Sequence, residues 1–290
     1  AVDSAEFEAD LASLDGLVKS VRDLLARRDE VEQEFSSWLI ALLDRYQEAL
    51  DTAETLYAYT SALVTVDTGD AQAMHALNRV EEALLGMKSV HVQFIHALAA
   101  CEADVERAIE ADDRITPFRF VLHELLDEQR HTMSEEQEDL AADLGRSGTD
   151  AWGRLQEAIS STVDMQWDAE KGTRKTVIQL RSLAFDPDRA VRRRAYEAEL
   201  DIWKQHQVAF AYALNGVKGT TITLDRRRGY RDPLERAVSQ ARITDAVLDA
   251  LIGSIERNLP LFRRYLRAKA HALGVPQLAF YDLFAPVGSE

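Results

Sequence analysis

The chain has 290 residues with 46% hydrophobic content, enough to bury one large core or two ordinary ones, and this excludes a disordered chain. Its formal charge of −16 divides into −21 over residues 1–150 and +5 over residues 151–290; an acidic front half offers no clustered cations to nucleic-acid phosphates, so nucleic acid is not an expected partner. A single cysteine, Cys101, permits no internal disulfide, and there is neither a long uninterrupted apolar run nor a basic and apolar leader, so the expectations are a cytoplasmic chain with no membrane partner.

No proline precedes Pro117 and only Gly16, Gly69 and Gly86 precede Gly145, so long helices can run unbroken through the front of the chain. Leu11, Leu14, Val18, Val21 and Leu25 recur three and four apart, as do Phe35, Trp38, Leu42, Tyr46 and Ala49, with Arg27-Arg28-Asp29-Glu30 between them. After a turn at Thr68-Gly69-Asp70, Leu77, Val80, Leu84, Met87, His91, Phe94, Leu98, Cys101 and Val105 keep that spacing. These stripes predict long antiparallel helices, with His91 a core histidine bonded to a neighbour and Cys101 an inert packing residue. A further helix is expected from Thr116-Pro117, threonine as cap, to about His131. Ser134-Glu135-Glu136-Gln137 reads as a capping box, with Glu135, Glu136, Glu138 and Asp139 complementing the helix dipole. Glycines 145 and 148 are expected to end that helix before one bearing Trp152, Leu155 and Ile159. Alternation of Val163, Met165 and Trp167 followed by Lys171-Gly172 predicts a small β-hairpin near 163–177.

Asp186-Pro187-Asp188 marks a new helix start, and a domain boundary is placed there: residues 1–183 as a helical front domain, 184–290 as the first helices of another. Thr244 is an expected cap, Pro260 an expected kink or restart, and Gly274 a helix end. The fold class is mainly α.

Chemistry-bearing motifs are sparse. His123-Glu124-Leu125-Leu126-Asp127 is a near miss for His-Glu-x-x-His: His123 and Asp127 share a helix face and Glu124 takes the general-base position, but a third ligand is missing. His131 lies eight residues on from His123, about 12 Å along a helix, too far to share an ion. Neither a Gly-x-Ser-x-Gly elbow nor a phosphate-cradling Gly-x-x-x-x-Gly-Lys is present. The arginines of Arg192-Arg193-Arg194 fall on different helix faces and are expected to pair with the acidic front half.

The words Asp186-Pro187-Asp188-Arg189, Val191-Arg192-Arg193-Arg194-Ala195-Tyr196-Glu197-Ala198-Glu199, Phe210-Ala211-Tyr212-Ala213-Leu214-Asn215-Gly216-Val217-Lys218-Gly219, Arg228-Gly229-Tyr230 and Tyr281-Asp282-Leu283-Phe284-Ala285-Pro286 together resemble the oligoendopeptidase F branch of the thimet-oligopeptidase-like zinc metallopeptidases. The resemblance is specific from about residue 185 to 285. It implies hydrolysis of internal bonds of oligopeptides by zinc-bound water, in a channel between helical lobes. His-Glu-x-x-His, which holds the zinc, does not occur here, so this chain is expected to be the N-terminal half, inactive alone and without bound zinc, its partner the missing C-terminal catalytic half. Catalytic and metal residues are therefore assigned to none of the 290 positions. Arg228 and Tyr230 are the substrate-channel candidates, since a glycine between them lets the loop approach a cleft. Two alternatives stay open: a non-catalytic helical protein binding peptides or partners, and a self-contained metalloenzyme on His123 and Asp127.

Overall fold

A computed structural model describes residues 2–28 and 34–288, and these form helices plus one two-stranded antiparallel sheet. The chain divides into two compact units: Ala1–Ser147 with Arg226–Tyr230, and Gly148–Asp225 with Arg231–Glu290. Asp29 and Glu30 of the expected charged break lie outside the described residues.

In the first unit, α1 (Ala5–Ala26), α2 (Phe35–Val66) and α3 (Ala71–Ala99) pack on one another through the stripes read from the sequence. Ser4 Oγ accepts the Phe7 N–H at the start of α1, and Asp70 Oδ1 accepts the N–H groups of Gln72 and Ala73 at the start of α3, satisfying donors that have no partner inside a helix. Leu14, Leu39, Leu42, Phe94, Ile95 and Leu98 have no exposed surface. Burial of each such side chain stabilises by about 1.5–3 kcal/mol, so apolar contact rather than helix propensity holds this unit together. Trp38 keeps its polar edge satisfied by donating from Nε1 to the Leu24 carbonyl at 2.8 Å, which ties α2 to α1.

The third stripe is not one helix. It breaks at Ala100-Cys101 and resumes, bent by 83°, as α4 (Glu102–Ala111). Cys101 sits in the bend and donates from Sγ to the Ala97 carbonyl, while Val105 still reaches the same core. Periodicity survived the bend because both segments face one core. No single described helix is long and apolar enough to cross a membrane; α3 and α4 together pass on length and composition, but α3 gives ten residues to the buried core.

Thr116 does not cap. Its hydroxyl donates to the Ile109 carbonyl at 2.9 Å, Thr116–Phe118 form a 3-10 turn, and α5 (Arg119–Gln129) begins after it. In α6 (Glu135–Ser147), Gly145 lies inside the helix, and Gly148 alone separates it from the next.

The second unit begins with α7 (Thr149–Thr162) and the expected hairpin, β1 (Asp164–Asp168) against β2 (Thr173–Thr176), turned by Gly172 at a φ of 62° that other residues rarely adopt. Met165 and Trp167, with Val163, pack on a small cluster of Val177, Leu180, Ala195, Ala198 and Ile202 from α8 (Val177–Ser182) and α9 (Arg189–Arg227). Asp188 rather than Asp186 caps α9, accepting the Ala190 N–H, and Pro187 stays outside the helix. α10 (Pro233–Gln240) follows, then α11 (Asp245–Ala272), whose cap is Thr244 and which runs through Pro260 without restarting.

Phe94→Ala should lower unfolding free energy by about 3–5 kcal/mol, against roughly 0.5 kcal/mol or less for Leu144→Ala at an exposed site; urea titration followed by far-UV circular dichroism measures both.

Candidate functional site

The near-miss zinc motif does not assemble. His123 Nε2 lies 3.0 Å from Glu106 Oε1 on α4, whereas Asp127 pairs with Arg130 at 3.1 Å. Helical spacing gave His123 and Asp127 a common face, but each has a different partner. No group of three His, Cys, Asp or Glu side chains able to hold a metal occurs among the described residues. The donor set present does not fit a zinc ion, so no catalytic step is derived through one.

His91 and His96 are held by protein groups. His91 bridges Tyr46, whose hydroxyl lies 2.6 Å from Nδ1, and Glu128, whose Oε1 lies 3.2 Å from Nε2; it is bonded to neighbours as expected, but it sits half-buried at the edge of the core rather than in it. Burial, with the Glu128 charge adding to it, raises the Tyr46 phenol well above its ordinary range. His96 Nε2 donates to the Met133 carbonyl at 3.1 Å. Cys101 is buried, and burial pushes its thiol pKa up, the opposite of what a reactive thiolate needs.

The arrangement that concentrates charge lies at the turn between α9 and α10, within the first unit. Arg228 donates from Nε to Glu138 Oε1 at 2.9 Å and from Nη2 to Oε2 at 2.6 Å, a two-pronged contact across ninety positions of sequence. Glu138 is 9% exposed and also accepts the Met133 N–H at 3.1 Å. Burial pushes its carboxyl pKa up, but the hydrogen bonds from Arg228 and Met133 with the Arg228 charge outweigh that and hold it below the ordinary value. The remainder of the turn is fixed by a neighbour on the same surface: the Tyr230 ring stacks on His131 with centroids 3.9 Å apart, and His131 Nδ1 donates to the Arg228 carbonyl at 3.1 Å. Gly229 between them has a φ of 79°, and a Cβ there would stand 3.9 Å from the Arg130 carbonyl. The two residues singled out by sequence are thus brought together with two that were not. Glu138 was hidden in an acidic run in which Glu135, Glu136 and Asp139 are exposed, and only its helical phase distinguishes it.

A second buried charge centre organises the other unit. Asp282, with no exposed surface, accepts from Arg189 Nε and Nη2, from Arg192 Nη2 and from the Ala279 N–H. Arg192, 3% exposed, also donates to the carbonyls of Asp186, Pro187 and Tyr281. Arg193 pairs with Glu197, and Arg194 donates to the Trp167 carbonyl while lying over that ring. The expectation that Arg192, Arg193 and Arg194 pair with the acidic front half is therefore corrected: their partners lie in their own unit, because helix phase aims each at a different nearby acceptor.

Residues 98–164 match the family described as Oligopeptidase F, and residues 182–287 match Peptidase family M3. The chain belongs to the oligoendopeptidase F group of the M3 peptidases. It is 22% identical over 249 residues to Oligopeptidase PepF of Bacillus subtilis, covering 83% of this chain and 37% of that protein. Over 165 residues it is 28% identical to Group B oligopeptidase PepB of Streptococcus agalactiae, covering 54% of this chain and 27% of that one. The crystal structure of an oligoendopeptidase-F from Enterococcus faecium shares the fold, with a TM-score of 0.81 at 21% identity over 98% of this chain and 56% of its own. The chain thus spans about half the length of its relatives, or less. Glu138 and His131 fall in the first matched segment of this M3 relative; Arg189, Arg192, Arg228, Tyr230 and Asp282 fall in the second.

For Asp282, burial pushes the carboxyl pKa up, but the bonds from Arg189, Ala279 and Arg192 prevail and bring it down from 3.8 to about 2. A depressed folded-state value gives stability that is fully present above the unfolded value and lost as pH falls through the folded one. Between pH 5 and pH 2 the unmodified chain should lose about 2 kcal/mol more stability than Asp282→Asn, read from urea midpoints at each pH.

Proposed function

We propose that this chain is the N-terminal part of a zinc-dependent oligoendopeptidase that cleaves internal bonds of short peptides, and that residues 184–290 open its catalytic domain. The observation that carries this reading is the ordered pair of family matches, 98–164 and 182–287, on a chain covering only 37% of PepF and 56% of the Enterococcus faecium structure. Zinc, the general base and the groups that stabilise the tetrahedral intermediate would come from the family's remaining length. The contribution of the present residues is to bind and orient an extended peptide and to exclude folded proteins from the channel.

The surface of the second unit supports a further body of protein against it. Val247, Leu251, Ile255, Leu259, Phe262 and Leu266 recur every three or four positions along α11, all of them exposed, and Ala270 is that helix's one buried residue. An amphipathic helix with its apolar stripe in water is incomplete. In the peptidase reading the catalytic remainder covers it. The alternative, a non-catalytic helical protein that binds peptides or partners, draws on the same stripe. Arg228 and Tyr230 remain the channel candidates, and the Glu138 pairing makes Arg228 a group that fixes the turn rather than a free cation for substrate. A cytoplasmic location and oligopeptides as the substrate class belong to the same proposal.

Hydrolysis of an internally quenched nonapeptide tests it. A whole protein containing this sequence should cleave the peptide with zinc and stop on chelation, whereas residues 1–290 loaded with zinc should give no turnover. Peptide binding without cleavage by the whole protein would favour the non-catalytic alternative.

A further inference from the structure

Residues 226–230 are the one stretch of the rear half that belongs to the first unit, while α9 up to Asp225 and α10 after them belong to the second. Five residues therefore enter and leave, and something must retain them. The neck of this excursion is closed within the second unit: Asp225, 4% exposed at the end of α9, accepts from Arg236 of α10 at 3.0 Å. The tip is held within the first unit at three points. Glu138 takes both prongs of Arg228, His131 donates to the Arg228 carbonyl, and the His131 ring lies flat on Tyr230, with ring planes only 7° apart. His131 and Glu138 stand on either side of Met133, whose N–H bonds Glu138 and whose carbonyl accepts from His96, so the base of the clasp is itself anchored to α3.

We propose that Glu138 and His131 are positioning residues that clasp Arg228-Gly229-Tyr230 and hold the α9–α10 turn in one conformation, with the Arg228 charge consumed by the clasp. A bidentate arginine–carboxylate contact fixes direction as well as distance, and the flat stack fixes rotation about the Gly229 backbone, whose positive φ is open to many conformations when unrestrained. For the peptide channel, on the reading that this turn lines it, the consequence is a wall contributing an aromatic ring and no free cation. Acidic peptide side chains then gain nothing from Arg228. The clasp itself stands on geometry that does not depend on peptidase activity.

Amide hydrogen exchange by NMR on the 290-residue chain tests the clasp at two reporters: Gly229 N–H, bonded to the Arg226 carbonyl, and Met133 N–H, bonded to Glu138. Glu138→Gln should speed exchange at Gly229 by ~10- to ~100-fold, the change expected when a charge-assisted pair is lost from a local opening equilibrium. Core amides of α3 and the control Glu136→Gln should be unaffected. If Glu138→Gln fails to fold, Arg228→Lys, which keeps the charge and loses the fork, should show the same local acceleration. Unchanged exchange at Gly229, or equal acceleration across turn and core, overturns the clasp while leaving the peptidase proposal intact. An inactive whole protein would do the reverse.

Discussion

A carboxylate without exposed surface stays ionised only when cations and hydrogen-bond donors replace the water it has lost, and Asp282 has both. Arg189 and Arg192 approach it from the first turn of α9, and Arg192 reaches at the same time to three backbone carbonyls around the helix start. One buried centre thereby fastens the segment ending in Tyr281-Asp282-Leu283 to the beginning of a 39-residue helix. The apolar cluster of this unit is small, so its long helices depend on polar registration more than on bulk burial. Removing Asp282 would leave Arg192, itself 3% exposed, without its counter-charge, a larger loss than breaking a surface pair.

The first unit uses the opposite economy. Its three long helices bury a continuous apolar core and need few specific polar contacts. Among the described residues its one buried carboxylate, Glu138, is turned toward Arg228. Both centres join residues about ninety positions apart and neutralise arginines from words that mark the family. Cationic words of this kind, met in sequence, invite assignment to substrate. Here Arg192 is engaged by Asp282 and Arg228 by Glu138, so each already has a carboxylate partner within the protein.

Elements whose cause is local were legible. The stripes of α1 to α3, the turn at Thr68-Gly69-Asp70, the Thr244 cap and the hairpin around Gly172 follow from spacing and turn chemistry within a few residues. What failed had a non-local cause. The bend at Ala100-Cys101 leaves hydrophobic spacing intact, and Thr116 gives its hydroxyl to Ile109 instead of the next helix. Arg228 and Tyr230 were found through their motif. Glu138 and His131 were not paired with them, because no periodicity links positions ninety apart. The His123 and Asp127 face illustrates the converse: correct helical spacing, no common ligand.

We propose that these residues form the front of an M3 peptidase fold; among those described, no group of side chains is placed to hold zinc. Zinc content of the purified 290-residue chain, dialysed against trace zinc and measured by elemental mass spectrometry, tests it most directly. A zinc-to-protein ratio near zero, unchanged by His123→Ala, is expected. A ratio near one that His123→Ala abolishes would contradict it and make the α5 motif a metal site.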